Sequence, residues 1–162
     1  MAAMPILYSI ALLTLANGSP VVAKKLFGPR FAFALDGGFL LFDGRPVFGA
    51  SKTVRGIVAS IAVTAVGGVM LGLGYELGAL MAIVAMAGDL LSSFLKRRMN
   101  MPPSSQALGL DQVPESLFPL LACRESLGLS YAGILVIVLM FFVGELAISR
   151  LLYVLRIRDQ PY

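Results

Sequence analysis

The stretch GDLLSSFLKRR, residues 88–98, is the densest collection of reactive side chains in the sequence. On a helix, Asp89, Ser93 and Lys96 fall at i, i+4 and i+7 and share one face, while Ser92 and Lys96 lie one turn apart. A carboxylate placed inside an apolar run costs on the order of a few kcal/mol unless it is paired or metal-bound. Two more stretches carry the same kinds of groups. Residues 36–56, DGGFLLFDGRPVFGASKTVRG, set Asp36 and Asp43 each before a glycine and follow them with Arg45, Ser51, Lys52, Thr53 and Arg55. Glycine lets a backbone approach a phosphate closely, and Lys and Arg neutralise its charge. Residues 110–119, LDQVPESLFP, put Asp111 at a helix start that Pro114 favours, with Glu115 four positions on and projecting beside it. Carboxylates that can hold magnesium, next to cations that can hold phosphate oxygens, are the equipment of phosphoryl or nucleotidyl transfer.

Each stretch also has a plainer explanation. Asp89 can pair with Lys96 along its own helix, merely holding helices together. The basic loop can set topology and touch anionic headgroups. Asp111 and Glu115 can answer the positive end of a helix dipole. Glu145, the one charge in its apolar segment, reads as structural, snorkelling or pairing about a turn before Arg150. A P-loop is excluded in residues 44–53, because Ala50 and Ser51 separate Gly49 from Lys52. The balance turns on coincidence: three separate stretches bring acids beside bases in a chain with few charges. Histidine is absent, which removes His-ligated metals and a His general base. A metal here sits on oxygen ligands, and magnesium or a similar hard ion suits them.

The elements that hold these groups are membrane helices. The chain is 58% hydrophobic and only 14% charged, with a mean hydropathy of +0.87; soluble domains carry roughly 25% charged residues. Residues 1–23 and 56–75 are uncharged, 77–95 contain only Asp89, and 127–149 contain only Glu145. A spanning helix needs about 20 mostly apolar residues, so four segments qualify. Residues 107–122 make a short fifth element, fourth in chain order, whose polar start lines a cavity. With five crossings, twelve of the thirteen Lys and Arg residues face one side, including Arg150, Arg156 and Arg158, and Arg124 alone faces the other. Cytoplasmic loops are enriched in such residues. The expected architecture is therefore an all-α integral membrane protein of five transmembrane helices, N-terminus outside and C-terminus inside, with two polar cytoplasmic loops. Residues 1–162 form one membrane-embedded domain in the cell membrane. The first segment reads as a retained helix, since its basic residues follow the apolar stretch. Glu76 alone separates the second and third apolar runs, predicting a tight outer turn there. The inner loop, residues 24–55, is turn-rich, and its six phenylalanines argue that it folds back onto the membrane face. Cys123, the single cysteine, is a packing residue.

GDLLSSFLKR resembles the GDLxxSxxKR run of the CTP-dependent phosphatidate cytidylyltransferases, the CDP-diacylglycerol synthases. With DGRPVFGASKTVRG and LDQVPES, and starting from Asn17-Gly18-Ser19-Pro20, residues 17–122 are similar to their shorter archaeal counterparts, the CDP-archaeol synthases. The bacterial-type enzymes continue with a Gly-His-Gly-Gly stretch and a DRxD motif. Here Asp111-Gln112-Val113-Pro114-Glu115 stand where those two acids fall, which suits an ether lipid over diacylglycerol phosphate. The resemblance implies magnesium-dependent transfer of a cytidylyl group from CTP to 2,3-di-O-geranylgeranylglyceryl phosphate, giving CDP-archaeol and pyrophosphate, with no nucleic-acid partner. Asp89, Asp111 and Glu115 are then expected to hold magnesium, as one ion or two, with Asp43 a further ligand. Lys96, Arg97, Lys52, Arg55 and Arg45 are expected on the triphosphate or lipid phosphate, Ser93 and Thr53 as hydroxyl donors, and Lys24 guarding the lipid phosphate. The rivals are another membrane transferase acting on phospholipid headgroups, or a small non-catalytic transporter or scaffold. Phosphatidyltransferases carry denser Asp sets on adjacent helices, and transporters want midplane polar groups in paired repeats; neither pattern is present.

Overall fold

A computed structural model describes residues 3–156 as five helices: α1 (Ala3–Phe27), α2 (Val54–Met70), α3 (Tyr75–Arg98), α4 (Gln112–Ala122) and α5 (Tyr131–Val154). Arg158 lies outside the described residues. Three of the helices, α1, α3 and α5, are long and apolar enough to cross a membrane, and α2 is a shorter apolar helix. The eleven residues of α4 rise roughly 16 Å, about half of a hydrocarbon core near 30 Å. The turn between α2 and α3 falls at Leu71–Gly74, earlier than Glu76, which instead occupies the first turn of α3 where the helix dipole favours an acid. Gly72 and Gly74 carry that turn with φ of +73° and +86°, values that glycine tolerates without strain.

Small residues set the helix packing. A side chain on Gly78 would run into the backbone of Thr64 and Ala65, so α2 and α3 meet at backbone contact. Pro20, inside α1, has no N–H to give the carbonyl of Ala16; Ser60 of α2 donates its hydroxyl there instead, at 2.8 Å. Leu12, Leu13, Met81, Leu120, Ile137 and Phe141 fill the core, and Cys123 is fully buried within it, as a packing residue should be.

The helix ends alternate, and one end of the bundle gathers the charge. Lys25 donates to the Arg156 carbonyl at 3.1 Å, joining the ends of α1 and α5. Arg55 at the start of α2 donates to the carbonyls of Gly28 and Arg30 just past α1. Arg45 reaches the carbonyl of Arg98 at 2.6 Å, tying the 28–53 loop to the end of α3. That loop has little regular structure, with isolated bridges at Ala34–Thr53 and Leu40–Pro46. Asp36 organises it: its carboxylate accepts N–H bonds from Gly38, Phe48 and Gly49 at 3.1, 2.9 and 2.9 Å. Burial opposes ionisation of Asp36, yet these backbone donors outweigh it and hold the carboxyl below its ordinary range.

Candidate active site

Two ion pairs and one buried acid define the charged end. Lys52, on the last residues of the loop, places Nζ 2.6 Å from both oxygens of Asp89. The plainer Asp89–Lys96 pairing is not formed; Lys96 turns away, to Asp111 at 2.6 Å and to the Ser105 carbonyl at 2.9 Å. Asp111 stands at the N-terminal boundary of α4 but does not cap it, because its side chain also accepts from the Ala107 N–H at 2.8 Å. It therefore points back at the 99–111 loop, whereas Glu115 points inward. Glu115 feels the charges of Glu145, Asp89 and Lys52. Only 5% of Glu115 is exposed, and its Oε1 has no hydrogen-bond partner.

Glycine 88 makes this meeting possible. A Cβ there would strike the Pro114 carbonyl and the Glu115 N–H, so the backbones of α3 and α4 touch beside Asp89 and Glu115. Ser92 adds a second tie, its hydroxyl 2.6 Å from the Leu110 carbonyl. Arg97 is buried between the two loops, donating to the Pro102 carbonyl at 2.8 Å and leaving its Nε without a partner. Its guanidinium lies against Gly49, whose φ is +93° and which has no Cβ to crowd it.

Other expected groups have local duties. Asp43 is paired with Arg98 at 2.7 Å, and Arg98 also donates to the Pro46 carbonyl and stacks over Phe94. Arg45 braces the end of α3, and Arg55 braces α1. The Thr53 hydroxyl caps α2 by accepting from the Gly56 N–H. Ser93 is buried on α3, and Lys24 is exposed on the last turn of α1. The structure thus brings together Asp89, Lys52 and Glu115, and separately Lys96 and Asp111. Glu145, read from the sequence as structural, joins the first group. A lone carboxylate in an apolar helix was the signal for it, since such groups usually mark a pathway or site.

The donor set bears on a metal. Hard oxygen ligands suit magnesium, and the unpartnered Glu115 Oε1 beside Asp89 is a place for a cation. Asp43 and Asp111 are paired with Arg98 and Lys96, and Asp89 with Lys52, the Lys52 pair being more exposed than the Lys96 pair. Among the described residues, no three acid, cysteine or histidine side chains stand close enough to cage an ion. The residues fit an ion held by one or two carboxylates together with substrate phosphates, as is usual for magnesium; they do not form a prebuilt all-protein cage.

Fold and site define a class: a helical, membrane-embedded protein with an ionic centre sunk below one end of its helices. Residues 4–162 match the family model described as CarS-like, CDP-archaeol synthase. The chain belongs to that family. It is 34% identical over 152 residues to the CDP-archaeol synthase of Pyrobaculum calidifontis, covering 91% of this chain and 90% of that one. It is 40% identical over 107 residues to the CDP-archaeol synthase of Pyrococcus furiosus, where the match spans 60% of either chain. A solved structure, described as an intramembrane enzyme for archaeal membrane lipids biosynthesis, superimposes with a TM-score of 0.68 at 29% identity, over 85% of this chain and 90% of that one.

Proposed function

We propose that this chain transfers the cytidylyl group of CTP to 2,3-di-O-geranylgeranylglyceryl phosphate, giving CDP-archaeol and pyrophosphate. Family membership over residues 4–162 supports the reaction class. The observation that carries the reading to residues is the Lys52–Asp89 pair lying beside the buried Glu115, whose Oε1 has no hydrogen-bond partner.

In this reading an oxygen of the lipid phosphate attacks the α-phosphorus of CTP, and the bond to pyrophosphate breaks. The attacking oxygen is already ionised, so little general-base help is needed, and catalysis is mostly positioning and charge neutralisation. Lys52 exchanges its contact with Asp89 for a phosphate oxygen. Arg97, buried with an unused Nε, adds a second positive charge between the loops. Asp89 and Glu115 would hold magnesium arriving with the nucleotide, which supplies charge neutralisation at the triphosphate. Lys96 with Asp111, and Arg98 with Asp43, hold the two loops over the site.

The same proposal includes five crossings with the N-terminus outside, the C-terminus inside and the site facing the cytoplasm, because the cationic helix ends share one side. Residues 1–162 act as one catalytic domain. The test is CTP labelled on its α-phosphate, given to purified protein with geranylgeranyl or acyl glycerophosphate. Label entering the organic phase with the geranylgeranyl lipid is the expected result. Label staying in water with every lipid phosphate would sink the proposal and favour a scaffold.

A further inference from the structure

Where α1 ends and α2 begins, at the charged end of the bundle, apolar side chains face outward. Leu26, Phe27, Phe31, Phe33 and Val54 are all exposed, Phe33 by 71%, and Lys25 and Arg30 stand exposed beside them. The arrangement is held in place. Phe27 and Phe31 meet edge to face with ring centroids 6.3 Å apart. Gly28 and Phe31 turn the chain with φ of +56° and +57°, and Arg55 clamps that turn through the Gly28 and Arg30 carbonyls at 2.9 and 2.6 Å. Phe33 is pinned to the start of α2, its carbonyl accepting the Val54 N–H at 3.0 Å. Exposed apolar groups gathered in this way mark a contact surface.

Helix register sets the depth of this patch. Ser60 donates to the Ala16 carbonyl, and a Cβ on Gly56 would lie 3.3 Å from the Pro20 side chain. Helix α2 therefore runs antiparallel to α1, with position 60 against 16 and 56 against 20, which puts Val54 level with Val22. Val22 belongs to the uncharged run that ends at Ala23. Phe33, bonded to Val54, lies at that same level, at the edge of the hydrocarbon. The 17 residues of α2 rise roughly 25 Å, short of a core of about 30 Å, so its start is not lifted clear of the bilayer. We propose that residues 26–33 with Val54 form a membrane-interface anchor. The Phe27, Phe31 and Phe33 rings enter the acyl boundary of the leaflet at the charged end, and Lys25 and Arg30 meet anionic headgroups there. A second copy of this chain fits the patch less well, since it would bring the same cations against these. The anchor lies one strand from the lysine of the site, because the Lys52 carbonyl accepts from the Leu35 N–H at 2.8 Å.

The chain has no tryptophan, so Phe33→Trp and Phe31→Trp each place a single indole reporter in the patch. In phosphatidylglycerol nanodiscs, lipid brominated on its acyl chains should quench either indole, and acrylamide in the water should quench it poorly. Quenching by acrylamide alone would put the rings in water, and silence to both quenchers would mean that protein covers them; either result overturns the anchor. Charge is tested in the Phe33→Trp protein by comparing phosphatidylglycerol with phosphatidylcholine. The ratio of docked to undocked anchor, read from the share of emission open to acrylamide, should fall in the neutral bilayer. Arg30→Gln should lower it roughly 5-fold in the anionic one, the scale of one cation near such a surface. Acrylamide access that is alike in both bilayers, with and without Arg30, would overturn the anionic partner.

Discussion

Two lysine–aspartate pairs in this protein have the same length, 2.6 Å, and opposite settings. Lys52 and Asp89 keep 22% and 23% of their side chains exposed, and they join a loop to the middle of α3 beside an acid with an unbonded oxygen. Lys96 and Asp111 keep 9% and 16%, and each has a further backbone partner, the Ser105 carbonyl and the Ala107 N–H. The first pair is accessible enough for an incoming anion to take the place of Asp89 on Lys52, leaving Asp89 to water or a cation. The second is closed by its surroundings, so that separating it strands a charge. In the proposed reaction, equal chemistry on paper thus divides into a pair that works and a pair that braces.

The contrast can be broken most directly at Asp89. Asp89→Asn should lower turnover at least about 100-fold, the scale expected for losing a charged group that acts in the transition state; Asp111→Asn should cost much less. If labelled product forms as fast in Asp89→Asn as in the parent, the working pair has been assigned wrongly. Gly88→Ala comes next. Its new methyl meets the backbone of Pro114 and Glu115 and must push α4 from α3. Turnover should fall about 30-fold, the scale of a small displacement of reacting groups, and a parent-like rate would show that α4 need not lie so close. Asp111→Asn should lower unfolding free energy by about 2–3 kcal/mol, below the full range for a buried pair because some exposure remains. Denaturation in detergent reads this out, with turnover per folded molecule down only a few-fold.

The smallest effect should come from Asp36, whose carboxylate bonds are all to loop backbone. Its carboxyl is more acidic when folded than unfolded, so its support for the loop is fully present above the unfolded value near 3.9 and fades as pH falls through the lower, folded value. Amide exchange at Phe48 and Gly49 should therefore lose protection in acid in the parent. Asp36→Asn should be weaker by about 1 kcal/mol at neutral pH and should lack that acid step; an unchanged step would place its origin elsewhere.

The helical class and the grouping of charge at one end were readable because both follow from composition and spacing. Asp89 stood out for the same reason, as an acid in an apolar run. Its partner did not: i, i+7 spacing pointed to Lys96, and only the course of the 28–53 loop brings Lys52 instead. Asp111 and Glu115 were expected side by side, but the 99–111 loop draws one outward while α4 carries the other inward. Thr53, Arg45 and Arg55 were expected on phosphate, and the structure shows each also serving a helix end, because loop cations and hydroxyls have two uses. Helix ends present open N–H and carbonyl groups that compete for the same side chains. Glu145 was legible in type but not in partner, since no sequence spacing connects α5 to α4.

The shortness of α4 has a consequence for the lipid around it. A helix that is too long for its bilayer can lean over; one that reaches only about 16 Å gains nothing by tilting, because tilt reduces its height further. Beyond α4 the chain turns at residues 123–130, where Arg124 stacks on Tyr131 and donates to the Leu129 carbonyl. If α4 starts at the inner face, the surrounding leaflets must dimple to meet that polar turn, or neighbouring helices must screen it. Either way, bilayer thickness becomes a mechanical load on the helix that carries Glu115, and reconstitution in lipids of graded chain length would vary that load without touching a residue.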